Sequence, residues 1–211
     1  MVDPAKFYEA LSKGSMEEVK ALTQKALNAG DSADTILKEG LIKAMDQIGV
    51  KFRNCEIYIP EVLIAARAMH AGLGVLKPIL AKSSTSTTTK IVLGTVKGDL
   101  HDIGKNLVGM MLEGAGFEVI DAGIDVPPEK FIQTAKEQGA KVIGMSALLT
   151  TTMMQMKTTV EAAKKAGLQG VKLMVGGAPV TEEFAKQIGA DGYASDAATA
   201  VSRVKNLLGM A

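Results

Sequence analysis

The constraint that acts hardest on this 211-residue chain is a change of hydrophobic period near its middle. Before residue 82 the apolar side chains recur at helical spacing, and after residue 90 short apolar runs of strand length alternate with helical segments. Between them lies Lys82-Ser83-Ser84-Thr85-Ser86-Thr87-Thr88-Thr89, a polar run with nothing to bury. A stripe repeating every ~3.6 residues and a face repeating every ~2 cannot share one layer, so two packing regimes are required. A helical domain over 1–82, a linker over 83–89 and an α/β domain over 90–211 are expected.

The helical half carries its own punctuation. Asp3 before Pro4 is an N-cap with proline in the first turn, Phe7 and Leu11 follow at helical spacing, and Gly14 ends the segment. Ser15-Met16-Glu17-Glu18 has the form of a capping box leading into Val19, Leu22 and Ala26. A third helix is expected from about Asp34, with Ile36, Leu37, Leu41, Met45 and Ile48 on one side and its end near Gly49. An irregular piece from Phe52 to Ile59 follows, then a fourth helix opened by Pro60 and bearing Leu63, Ala66, Met69, Leu73 and Leu76. Four helices with short connections make an up-down bundle.

In the second half the strand candidates are 90–96, 117–121, 141–145, 171–175 and 192–194, with helices at about 105–115, 128–138, 152–166, 181–188 and 196–208. Five βα units predict a flavodoxin-like, doubly wound five-stranded parallel sheet. In that strand order the first and third strands are neighbours, so the loops 97–105 and 146–152 flank one crevice.

Composition closes off several classes. Lys and Arg number 24 against 23 Asp and Glu, with no basic cluster, so a nucleic-acid surface is not expected. The single Cys55 excludes an internal disulfide framework, and no Cys/His set has zinc spacing. Met1-Val2-Asp3-Pro4 lacks a basic start and an apolar leader, and no apolar run approaches membrane-spanning length. A cytoplasmic protein without membrane contacts is expected. With no Trp and few aromatics, a pocket of stacked rings is not.

The chemistry concentrates in Gly98-Asp99-Leu100-His101-Asp102-Ile103-Gly104-Lys105, between the first strand and its helix. Asp99, two residues before His101, can hold one ring nitrogen while the other faces outward, which suits a metal ligand or a base. A phosphate loop is not expected, because five residues separate Gly98 from Gly104-Lys105 where that loop has four, and Asn106 replaces its Ser/Thr. Two further strand ends contribute Ser146-Ala147-Leu148 and Gly176-Gly177.

Asp99-x-His101-x-x-Gly104, Ser146-x-Leu148 and Gly176-Gly177 together resemble the cobalamin-binding signature in residues and in spacing. Over nearly its whole length the chain is similar to the corrinoid-binding region of methionine synthase and to free-standing corrinoid methyl-carrier proteins. The resemblance implies cobalamin bound base-off, its own base displaced from cobalt by His101, with Asp99 and the Thr152 hydroxyl continuing a relay behind the imidazole. Cofactor contacts fall by the same likeness on Asp99, His101, Asp102, Ile103, Gly104, Ser146, Leu148, Thr150, Gly176 and Gly177, the glycines keeping open a slot for the nucleotide tail. Phe52 and Ile59 of the helical domain would cap the upper face; ordinary bundle core is the other reading for both.

The implied function is methyl carriage. Cobalt(I) accepts a methyl group from a substrate-specific methyltransferase, and methylcobalt(III) delivers it to a second one acting on tetrahydrofolate or coenzyme M. A reductive activase is the third partner, and no turnover is expected from the chain alone. Cobalamin storage or sensing without methyl transfer is the alternative. The donor, whether methylamine, methoxylated aromatic, glycine betaine or methanol, is not legible in the residues.

Overall fold

The computed structural model describes residues 2–80 and 88–210. Contacts group the chain into a helical unit ending at Thr88, which also takes in Glu113–Gly116, and an α/β unit beginning at Thr89. Most of the linker expected over 83–89 lies outside the described residues.

In the helical unit, α1 (Pro4–Ser12) starts at Asp3, whose carboxylate accepts from the Lys6 amide, and α2 (Met16–Asn28) starts at Ser15, whose hydroxyl accepts from the Glu18 amide. These side chains satisfy amides that the first turn leaves without partners. Ser32 does the same for Thr35 at the start of α3 (Ala33–Thr35). α3 continues through a π-helical segment, Ile36–Ile42, into α4 (Lys43–Arg53). Within the π-helical segment Gly40 lets the Phe7 ring approach the backbone; a Cβ there would lie 3.0 Å from it.

Two expectations are corrected. The third helix does not end near Gly49 but runs to Arg53, so Phe52 sits in a helical turn and the irregular piece shrinks to 54–58, where Cys55 has φ +58°. α5 (Ile59–Leu80) is, by length and composition, long and apolar enough to cross a membrane, contrary to the sequence reading. Its apolar residues have a different use here. Val62, Ala65, Ala66, Ala68, Met69 and Leu76 are buried, and the helix packs against α1, α2 and α4. A Cβ on Gly72 would meet Val19 at 2.9 Å and Leu41 at 3.0 Å, so that glycine sets how closely α5 approaches its neighbours.

The α/β unit alternates β1 (Lys90–Val96), α6 (Ile103–Gly114), β2 (Glu118–Val126), α7 (Pro128–Gln138), β3 (Val142–Ser146), α8 (Met154–Lys165), β4 (Lys172–Gly176), α9 (Glu182–Ile188), β5 (Gly192–Ala194) and α10 (Ala197–Leu207). The strands are parallel in the order β2-β1-β3-β4-β5, the flavodoxin-like arrangement that the alternation predicted. Val92, Ile143 and Val175 from adjacent strands join Phe131, Met156 and Val160 in the core beneath α7 and α8. Gly94 on β1 admits the Phe131 ring, which a Cβ would meet at 2.6 Å.

One strand departs from expectation. β2 does not stop at Asp121 but continues to Val126, shifting register twice against β1, between Leu93 and Gly94 and between Gly94 and Val96. The polar and glycine residues Asp121, Gly123 and Asp125 hide this extension from a reading based on apolar runs.

Candidate functional site

β1 ends at Val96 in a tight turn closed by the Asp99 amide donating to the Val96 carbonyl at 3.1 Å. Gly98 takes φ +82°, a conformation that glycine adopts without steric cost. The turn delivers the Asp99 carboxylate into a fully buried position beneath the loop. Its Oδ1 accepts from the His101 amide at 3.1 Å and from His101 Nδ1 at 2.7 Å. Its Oδ2 accepts from the Thr152 hydroxyl at 2.6 Å and from the amides of Leu148 at 2.8 Å and Leu149 at 3.3 Å. One carboxylate therefore ties the loop after β1 to the loop after β3, the pair that strand order places at the sheet's switch point.

Burial works against a charge on Asp99, but the bonds from Thr152, the His101 ring and the His101 and Leu148 amides outweigh it. Together they hold the carboxyl well below the ordinary carboxylate range. An ionised carboxylate can only accept, so Nδ1 of His101 carries the shared proton. In the neutral ring Nε2 is then the free lone pair, on a side chain that is about half exposed (51%). The loop is pinned further along by the Thr95 hydroxyl, which donates to the His101 carbonyl at 2.8 Å.

The other expected residues fall as follows. Asp102 is exposed and accepts from the Asn106 side chain at 3.1 Å, within the first turn of α6. Ile103 is 86% exposed, and a Cβ on the neighbouring Gly104 would meet no atom within 4 Å. Ser146 ends β3, in register with Thr95 on one side and Gly176 on the other. Leu148 and Thr150 are exposed, whereas Thr152 is buried against Asp99. Phe52, half-buried, and Ile59, 48% exposed, belong to the helical unit at the end of α4 and the start of α5; Ile59 is therefore not bundle core.

The glycine pair is constrained by its own backbone surroundings. A Cβ on Gly176 would come 2.8 Å from the Ala194 carbonyl oxygen of β5, and on Gly177, at φ +129°, it would run into the Ala147 carbonyl. These two glycines are required by the protein's own backbone, whereas of the three expected to line a slot Gly104 alone would leave an added Cβ without a neighbour.

Large apolar side chains gather in the exposed loops around His101. Leu100 (68% exposed), Leu148 and Leu149 lie in the loops that Asp99 joins, Ile103 opens α6, and the exposed Ile124 precedes Asp125 in β2. Exposed apolar surface at the ends of the strands makes this the candidate binding site.

Sequence reasoning missed a second layer. Lys105 is buried, with its ammonium 2.7 Å from both Asp121 Oδ1 and Asn106 Oδ1. Burial opposes ionisation of Asp121, but Lys105 and the Gly123 amide hold its carboxyl below the ordinary value. Asp125 Oδ1 accepts from the Gly98 amide at 2.6 Å. The signal that could have found these residues was the acidic pair flanking Gly123, at the end of a strand adjacent to the crevice.

Comparison with known proteins gives the family. Residues 89–202 match the family model of a B12 binding domain, and residues 5–77 match that of a second B12 binding domain. Dimethylamine corrinoid protein 2 of Methanosarcina mazei is 46% identical over 91% of this chain and 90% of its own length. Trimethylamine corrinoid protein 1 of the same organism is 42% identical over 97% and 96%. Among solved structures, a cobalamin-binding protein from Desulfitobacterium hafniense superimposes with a TM-score of 0.80 at 33% identity, covering 97% of this chain and 98% of that one. The methanol:cobalamin methyltransferase complex of Methanosarcina barkeri gives 0.86 at 27% identity, covering 98% of this chain and 79% of that one. With the Asp99–His101 pair at the switch point and matches along both halves, the chain belongs to the family of B12-binding corrinoid proteins.

Proposed function

We propose that this protein is the corrinoid subunit of a methyltransferase system, carrying a methyl group between a substrate-specific methyltransferase and an acceptor methyltransferase. When bound, a corrinoid supplies a cobalt centre that takes up and gives up a methyl group. The residues present suit it. Among the described residues no three His, Cys, Asp or Glu side chains gather to hold a metal ion unaided, so a metal at His101 has to bring its other donors with it, as a macrocycle does. The exposed side chains of Leu100, Ile103, Leu148 and Leu149 suit the apolar body of such a ring.

The observation that carries the reading is the direction of the histidine. Asp99 accepts the hydrogen bond from Nδ1–H and leaves the Nε2 lone pair free, the arrangement that metal-bound histidines use. His101 would accordingly hold the cobalt through Nε2, in place of the cofactor's own base. Asp99 and Thr152 hold the ring and its proton, and Asp102, Ile103, Gly104, Ser146, Leu148, Thr150, Gly176 and Gly177 hold the remainder of the cofactor. Phe52 and Ile59 are the apolar side chains that the helical unit offers for excluding water.

The relatives named for dimethylamine and trimethylamine favour a methylated amine as donor over methanol. Tetrahydrofolate or coenzyme M is the acceptor, and a reductive activase is the third partner. A free, exposed Cys55 suits the cytoplasm. The test has two arms. His101→Ala is expected to bind cobalamin but to change its absorption spectrum, and an unchanged spectrum overturns the ligand assignment. The loaded wild-type protein is expected to be methylated by a methylamine methyltransferase; methylation only by a methanol-specific partner overturns the donor class, and none by any partner overturns carriage.

A further inference from the structure

Asp125 is one of two non-glycine residues with positive φ among those described, at +51°. That conformation is uncommon for a side-chain-bearing residue, and aspartate is among the few that tolerate it. It turns both hydrogen-bonding groups of the residue onto the β1–α6 loop. The Asp125 carboxylate accepts from the Gly98 amide at 2.6 Å, and the Asp125 amide donates to the Asp99 carbonyl at 3.0 Å. The two bonds bracket the Gly98–Asp99 pair, whose dihedrals decide where the Asp99 carboxylate emerges.

The stretch that carries Asp125 is itself anchored. Asp121 Oδ1 accepts from the Gly123 amide at 2.9 Å and from the buried Lys105 ammonium at 2.7 Å, linking this end of β2 to the first turn of α6 beyond His101. The loop is thereby held on both flanks, by Asp99 toward β3 and by Asp125 toward β2.

We infer that Asp125 is a positioning residue for His101. It fixes the Gly98–Asp99 backbone, so the Asp99–His101 hydrogen bond keeps its direction whether or not Nε2 has a partner. The inference rests on the proposed role of His101 for its purpose, but its mechanical content is testable without any cofactor.

The experiment compares Asp125→Gly with Asp125→Asn in the cofactor-free, full-length protein. Glycine keeps the positive φ and loses the acceptor; asparagine keeps an acceptor oxygen and tolerates the same φ. In Asp125→Gly, Gly98 amide hydrogen exchange is expected to quicken at least about tenfold, and the His101 Nδ1 proton resonance to broaden or vanish, with the melting temperature not lowered. Asp125→Asn is expected to stay within about twofold of wild type. If Asp125→Gly leaves both signals unchanged, or if they change only in step with a general loss of stability, the inference is overturned. Should Asp125→Gly not fold, scalar coupling across the hydrogen bond from the Gly98 amide to the Asp125 carboxyl carbon in the wild type decides instead: its presence supports the clamp and its absence overturns it. Failure of the ligand assignment would appear separately, as an unchanged cobalamin spectrum in His101→Ala.

Discussion

Asp99 shows how one side chain can set the state of a site. It is buried and receives donors from two loops, and no water is needed to keep its charge. Because the folded protein binds a proton at Asp99 less readily than the unfolded chain does, its stabilising contribution is complete above the unfolded value of about 3.9. It is lost as pH falls from there through the lower folded value. Asp99→Asn is expected to lower stability at pH 7 by about 2–3 kcal/mol, the scale of a lost charged hydrogen bond, and to flatten the acid limb of stability against pH. Urea unfolding between pH 3 and pH 7 measures both, and an acid limb as steep as wild type would place the relevant proton elsewhere.

Among the elements, the glycine pair after β4 makes the sharpest demand on sequence. Gly177 combines φ +129° with the Ala147 carbonyl where a Cβ would stand. Gly177→Ala should therefore cost at least the ~1–3 kcal/mol of a forced backbone conformation, read as a lower urea midpoint; an unchanged midpoint would mean that the strand end moves aside freely. The strand and helix order, the switch-point loops and the Asp99–His101 pair were legible because each rests on period or on a short local motif. The end of β2 was not, since Asp121, Gly123 and Asp125 are turn-forming residues whose strand pairing is decided by β1 across a shifted register. For the same reason the Lys105–Asp121 and Asp125–Gly98 bonds, which join residues 16 and 27 apart in sequence, had no local signal. The third helix ran past Gly49 because its glycine is buried in the helical unit, where packing overrides propensity.

For the whole molecule, the two units have different tasks in the proposed function, since a shielded cobalt cannot also meet a partner's active site. Cross-linking the helical unit to the α/β unit is expected to leave cobalamin binding intact and to abolish methylation by the partner; undiminished turnover would show that no rearrangement between units is needed. The sheet order carries a last consequence. Its margins are β5, only three residues long, and β2, nine residues long and bearing Glu118, Asp121 and Asp125 along a ladder that shifts register twice. A margin so short on one side, and on the other so uneven and partly occupied by Lys130, which donates to the Ala122 carbonyl at 2.8 Å, leaves a second copy little regular ladder on which to add a strand. The exposed apolar side chains around His101 thus sit on a sheet whose edges offer few regular pairing sites.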